Sequence, residues 1–181
     1  DFRLKILNHI NKNENCRYSY FKISKPYLEA IVGNELVMQK KINLSIQLPE
    51  DRDSLLAVHS DVWSGDSPFE VVVWLPLVNC FKTKSMYILP ANLSSQFNKK
   101  ISKKNYQNSE KVFQLIKKKI KWIKINYGQV LIFNQSLPHG NRVNKETETR
   151  WSLNCRFKNI FSPYGDKKIG EFFEPITLRA A

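Results

Sequence analysis

The chain has 181 residues, 42% of them hydrophobic and 12% aromatic, which suits one globular domain with a sizeable core and excludes a disordered or low-complexity segment. The longest nearly unbroken apolar run, residues 71–78, is far short of the roughly eighteen residues a membrane helix needs. Net charge is +13, from 29 Lys and Arg against 16 Asp and Glu, a balance that raises nucleic acid, anionic surfaces and acidic small molecules as partners.

A compositional explanation competes with a binding one, because the excess lies in Lys rather than Arg and accompanies abundant Asn and Ile, as an A+T-rich genome also produces. The clearest local excess spans residues 99–124, with ten Lys, expected mostly on a solvated face. Nothing at the amino terminus reads as a secretory signal. Cys16, Cys80 and Cys155 form no C-x-x-C pair, which argues against a disulfide framework. The expectation is a soluble protein of a reducing cytoplasm. The chain opens on Asp1 rather than Met, which leaves room for a piece ahead of it.

In chain order, Leu4, Ile6, Leu7 and Ile10 recur at helical spacing over residues 2–10. A second helix is expected over residues 27–32, with Ser24 as cap, Pro26 in its first turn and Gly33 at its end. Residues 41–48 then alternate strictly, with Ile42, Leu44, Ile46 and Leu48 on one face and Lys41, Asn43, Ser45 and Gln47 on the other, the period of a strand. Further strands are expected at 55–59, 70–77, 86–89, 122–126, 129–134, 141–143 and 149–158. Between them lie a Ser/Gly/Asp/Pro loop at 60–68, a polar connection after Pro90 and a helix over 109–118 capped by Ser109. Many short strands with helices toward the amino terminus predict a mainly β protein with flanking helices (α+β), as one antiparallel barrel or jelly-roll domain: residues 1–35 as helical cover, 36–160 as β core and 161–181 as a tail. A GxGxxG turn and a P-loop are both absent.

The three histidines are the most informative residues. His59 ends an apolar strand and is followed two positions later by Asp61; His139 follows a second apolar strand through Leu137-Pro138. Two imidazoles and a carboxylate at adjacent strand ends can occupy one face of an octahedron and leave the opposite positions open, as in non-haem Fe(II) sites. Eleven residues beyond His139 a strand alternates Arg150, Ser152, Asn154 and Arg156 against Trp151, Leu153, Cys155 and Phe157. If its polar face lines a barrel, a buried Arg there needs an anionic partner; from the pattern alone, an edge strand facing water reads equally well. His9 sits on the first helix, where a role without metal is expected.

These residues resemble the iron(II)- and 2-oxoglutarate-dependent dioxygenases, whose motif is His-x-Asp, a distal His, then an Arg, often as Arg-x-Ser. Here they read His59-Ser60-Asp61, His139 and Arg150-Trp151-Ser152. Val73-Trp74-Leu75-Pro76-Leu77 and the stretch from Met86 to Pro90 are similar to the phytanoyl-CoA dioxygenase-type branch, and the run from His59 to Pro90 to oxygenases of bacterial surface-carbohydrate gene clusters. Where that branch has Asn-Gly and then Pro-Gly-Ser-His, this chain has Thr83-Lys84-Ser85 and Pro90-Ala91-Asn92, which sets its substrate side apart.

The resemblance implies a cupin-like double-stranded β-helix in which His59, Asp61 and His139 hold Fe(II) and Arg150 with Ser152 binds 2-oxoglutarate. O2 would be the oxidant, succinate and CO2 would be released, and a small, carbohydrate-linked or anionic substrate, such as a sugar or nucleotide sugar, would be hydroxylated. Gln47, Tyr87 and Arg156 are further candidates for contact with the cosubstrate. Trp63, Asp66 and Glu70, on the loop after the His-x-Asp pair, are candidates for contact with the substrate. The competing readings are a cupin-like sugar isomerase or metal-binding protein, and a basic nucleic-acid-binding module. The first would want a second His where Asp61 stands; the second has no reader motif, and an oxygenase acting on nucleic acid joins the two. No heptad or other self-association pattern sets an oligomeric state.

Overall fold

The computed structural model describes residues 2–100 and 108–177. Its elements in order are α1 (Phe2–Lys12), α2 (Glu14–Val32), β1 (Leu36–Gln39), β2 (Asn43–Gln47), β3 (Val71–Pro76), β4 (Tyr87–Ile88), α3 (Ala91–Lys100), α4 (Ser109–Ile116), β5 (Lys121–Trp122), β6 (Leu131–Asn134), β7 (His139–Gly140), β8 (Arg150–Asn159) and β9 (Phe173–Pro175). Lys103 and Lys104 of the lysine-rich stretch lie outside the described residues.

Strand β8 organises the larger of two antiparallel sheets, whose order is β6-β3-β8-β1-β9. Its first half also pairs with β2, Gln47 opposite Arg150 and Asn43 opposite Asn154; its second half pairs with β1, and β3 runs along its other side. The smaller sheet is β5-β4-β7. Because side chains alternate across a strand, Val71 and Val73 of β3 and Cys155 and Phe157 of β8 face one way, into a core they share with Tyr20, Phe21 and Leu28 of α2. Val72 and Trp74 face the other way and meet Phe133, Met86 and Ile88 between the sheets. Behind the small sheet, Tyr87 and Leu89 pack with Val112 and Ile116 of α4. The layers are thus helices, large sheet, small sheet, helices.

The first two helices are tied to the large sheet by polar contacts as well as by burial. Asn11 accepts from the Ile42 amide (2.7 Å) and donates to its carbonyl (3.0 Å). The Tyr20 hydroxyl donates to the Val73 carbonyl at 2.6 Å. Here α2 corrects the sequence reading. It starts at Glu14, capped by Asn13 rather than Ser24, and runs straight through Pro26. Pro26 and Lys22 are both exposed, so the Lys22 carbonyl left without its helical N–H faces water. Ser24 is buried and its hydroxyl turns back to the Phe21 carbonyl.

Four further expectations are corrected. Residues 55–59 form no strand beyond a single bridge at His59. The strand expected at 141–143 is displaced to His139–Gly140. The connection after Pro90 contains helix α3, and the expected carboxy-terminal tail supplies β9, which pairs with β1.

Candidate metal centre

His59 and His139 are joined by two backbone hydrogen bonds, each amide donating to the other's carbonyl at 2.9 and 2.8 Å. Directly opposed residues of an antiparallel pair project to the same face, and the two imidazoles stand with ring centroids 4.2 Å apart. Nδ1 of each lies 2.8 Å from a carbonyl two residues earlier, that of Ala57 or Leu137. A carbonyl can only accept, so Nδ1 carries the proton and Nε2 is left with a lone pair. Asp61 opens the short 3-10 turn Asp61–Ser64, which brings its Oδ1 to 3.5 Å from His59 Nε2. One ligand atom each from His59, Asp61 and His139 lies within 4.8 Å of the others.

The surroundings prepare these groups for a cation. Burial, and then the neighbouring His59, hold His139 down at about 4, so its ring is neutral at physiological pH. Burial pushes the Asp61 carboxyl up, but the Arg156 guanidinium and the two imidazoles outweigh it and hold the carboxyl below its ordinary value, so it is ionised. Lone-pair nitrogens and one carboxylate are the donors a divalent first-row metal takes.

The three residues stand at a cavity of about 360 Å³ between the two sheets. Its lining is polar along β2 and β8, with Asn43, Ser45, Arg150, Asn154 and Arg156, and turns apolar along the neighbouring β3 and β6, with Val72, Trp74 and Phe133, and at Met86. Arg150 is 4% exposed. It donates to the Ser45 hydroxyl at 3.2 Å, while its Nε has no partner. Among the described residues no carboxylate pairs with it. Burial draws it down to about 10, still a cation at neutral pH.

The other sequence candidates fall in different places. Ser152 shares the face of Arg150 and is buried with its hydroxyl unpartnered, though it is not among the cavity's lining residues. Gln47 is buried and donates to the Arg142 carbonyl at 2.6 Å, away from the cavity. Tyr87 points to the opposite side of the small sheet from Met86 and packs against Phe113 and Trp122. Arg156 lines the cavity but is engaged, donating to Asp61 Oδ2 at 2.8 Å with Asp66 at 3.9 Å.

Asp66 and Glu70 are buried rather than displayed on a loop. Glu70 accepts from Gln135 at 2.8 Å, and burial, reinforced by Asp66, pushes its carboxyl up. Trp63 packs against Phe97, and His9 is exposed on α1. Asn43 and Ser45 also line the cavity; the strict alternation of residues 41–48 places them on the strand's polar face but gives no sign that this face meets a site.

No family model matches the sequence, and no curated protein matches it. Solved structures do. The non-heme α-ketoglutarate-dependent carbocyclase SnoK from nogalamycin biosynthesis superposes with a TM-score of 0.64 at 13% identity, over 93% of this chain and 74% of that one. HygX from Streptomyces hygroscopicus, with nickel and 2-oxoglutarate bound, gives 0.56 at 12% identity over 86% and 66%. The nickel complex of the non-heme monooxygenase ThoJ gives 0.55 at 16% identity over 76% and 51%. The chain therefore has the fold of these non-heme enzymes, and it spans about half to three quarters of their lengths. No described helix is long and apolar enough to cross a membrane.

Proposed function

We propose that the chain is an Fe(II)- and 2-oxoglutarate-dependent oxygenase and that its two facing sheets are a double-stranded β-helix. The observation that carries this is the pairing of two features in one cavity: a His59–Asp61–His139 donor set at one place and, at another, a buried Arg150 with an unpartnered Nε and no carboxylate partner among the described residues. An uncompensated buried guanidinium is costly, and a dicarboxylic keto acid offers one end for a metal and one for an arginine fork. The residues present fit both groups.

On this reading His59, Asp61 and His139 would hold the metal. Arg150 would bind the distal carboxylate, and Ser152 would stand ready as a hydrogen-bond donor beside it. The chemistry such a centre supplies is oxidation of a substrate C–H bond by O2, coupled to conversion of 2-oxoglutarate to succinate and CO2. The protein's own share is positioning. The Nδ1–carbonyl contacts fix both imidazole tautomers, Arg156 fixes the carboxylate, and Val72, Trp74, Met86 and Phe133 keep part of the lining dry. The substrate we favour is a small, uncharged polar molecule of the carbohydrate type: Asn43, Ser45 and Asn154 offer neutral donors and acceptors, whereas the charge of Arg156 is already met by Asp61 and Asp66. HygX has also been crystallised with nickel, 2-oxoglutarate and hygromycin B. Three free cysteines suit a reducing cytoplasm.

Anaerobic titration of the protein with Fe(II) and then 2-oxoglutarate, followed by visible absorption, tests the proposal. A weak absorption band should grow with 2-oxoglutarate and be missing in His59→Ala. Its absence from the wild-type protein would refute the assignment.

A further inference from the structure

Asp61 is the ligand most in need of external support, because it opens a single 3-10 turn, whereas His59 and His139 hold each other by two backbone hydrogen bonds. The structure connects it to a distant part of the chain through alternating charges. Arg156 donates to Asp61 Oδ2 at 2.8 Å and lies 3.9 Å from Asp66; Asp66 in turn takes a close ion pair from Lys167. Asp61 and Asp66 are nearly buried and Arg156 mostly so, and both cations lie over the Phe172 ring. The Asp66 amide also donates back to the Asp61 carbonyl at 3.4 Å.

The segment carrying Lys167 is itself pinned to this turn. Lys158, fully buried, donates to the carbonyls of Ser162 and Pro163 at 2.9 and 2.7 Å and sits over the Tyr164 ring. Ser67 donates to the Pro163 carbonyl at 2.5 Å, and the Asp166 amide donates to the Gly65 carbonyl at 2.9 Å. Gly65 has φ +95°, which favours glycine, and a Cβ on Gly165 would run into the Gly65 carbonyl and the Ser67 amide. The two glycines let the backbones touch.

We infer that the carboxy-terminal segment from Ser162 to Lys167 is a positioning strap for the metal carboxylate, in which Lys167 neutralises Asp66 so that Arg156 stays committed to Asp61 Oδ2 and leaves Oδ1 for the metal. This rests on the metal reading of the site. Without Lys167, Asp66 becomes a buried, unneutralised carboxylate that competes with Asp61 for the guanidinium. Lys167 is a positioning residue, acting through Asp66 and Arg156.

Calorimetric titration of the full chain with Mn(II) tests this. Lys167→Met, which keeps the aliphatic stem against Phe172, should weaken Mn(II) binding roughly tenfold, the scale for groups that orient a ligand. Lys167→Arg should retain wild-type affinity. The double variant Asp66→Asn with Lys167→Met removes the competitor along with its partner and should recover affinity to within about twofold of wild type. Lys167→Gln serves the same comparison if the Met variant does not fold. Unchanged affinity in Lys167→Met, or a double variant as weak as the single one, would overturn the strap while the metal site stood. A wild-type protein without Mn(II) affinity, or His59→Ala binding as tightly as wild type, would instead remove the metal reading and the strap together.

Discussion

Arg150 and Arg156 stand six residues apart on the same face of β8, both mostly buried and both lining the same cavity, yet they sit in opposite electrostatic surroundings. Arg156 has Asp61 at 2.8 Å and Asp66 at 3.9 Å. Arg150 has a serine hydroxyl at 3.2 Å and no carboxylate among the described residues; the Nε of each arginine is unpartnered, so the carboxylates make the difference. A folded chain tolerates a buried guanidinium when it is paired or when a ligand completes it. The Arg156 end is paired within the protein, whereas no described carboxylate pairs with Arg150. On the proposed function, one strand would carry both the internal support of the candidate metal centre and the anchor for an external anion.

The sharpest way to break this comparison is to remove each charge in turn and read stability without added ligand. Arg156→Met should cost about 3–5 kcal/mol by chemical denaturation, because Asp61 would lose the guanidinium that pairs with it and Asp66 would lose part of its neutralisation. Arg150→Met should move the other way, raising stability by about 1–4 kcal/mol, since an apolar side chain replaces an unpaired buried charge. Equal destabilisation by both would mean that Arg150 has a partner within the fold. In the same Arg150→Met protein, loaded with Mn(II), added 2-oxoglutarate should no longer raise the melting temperature, whereas in wild type it should.

The smallest expected effect concerns Glu70, beneath the Arg156 end. Its carboxyl titrates above the ordinary value in the fold, so the folded state holds that proton more tightly than the unfolded chain. The ionised side chain therefore costs stability once pH rises past the unfolded value. Glu70→Gln should raise the melting temperature by about 2–4 °C near neutral pH and make no difference below about pH 4. Thermal melts across that range check the sign; a gain confined to acid pH would contradict it.

Legibility in the sequence followed how far each pattern ran. The first nine residues of β8, from Arg150 to Lys158, alternate without a break, so the split between Arg150, Asn154 and Arg156 on one face and Cys155 and Phe157 on the other could be read directly; the strand expected to end at His59 could not, because only a single bridge forms there, and His139 opens β7. The face of Tyr87 could not, because β4 is two residues long and too short to set a phase. Strand β1 was missed since all four of its residues are buried and it has no alternation to detect. Helix α3, ANLSSQFNKK, is too polar to stand out from a loop. Asp66 and Glu70 read as loop residues because their partners, Lys167 and Gln135, are 101 and 65 positions away, and local sequence contains no trace of such closure.

The central claim is that Arg150, and not Arg156, is the anchor for a keto-acid cosubstrate. Calorimetric titration of 2-oxoglutarate into Mn(II)-loaded wild type and Arg150→Ala, with Mn(II) affinity measured on both, tests it most directly. The account predicts that Arg150→Ala binds Mn(II) within about threefold of wild type but loses 2-oxoglutarate by roughly a hundredfold, the scale of a bidentate charged contact. Undiminished 2-oxoglutarate binding, or an equal loss of metal and 2-oxoglutarate, would contradict it.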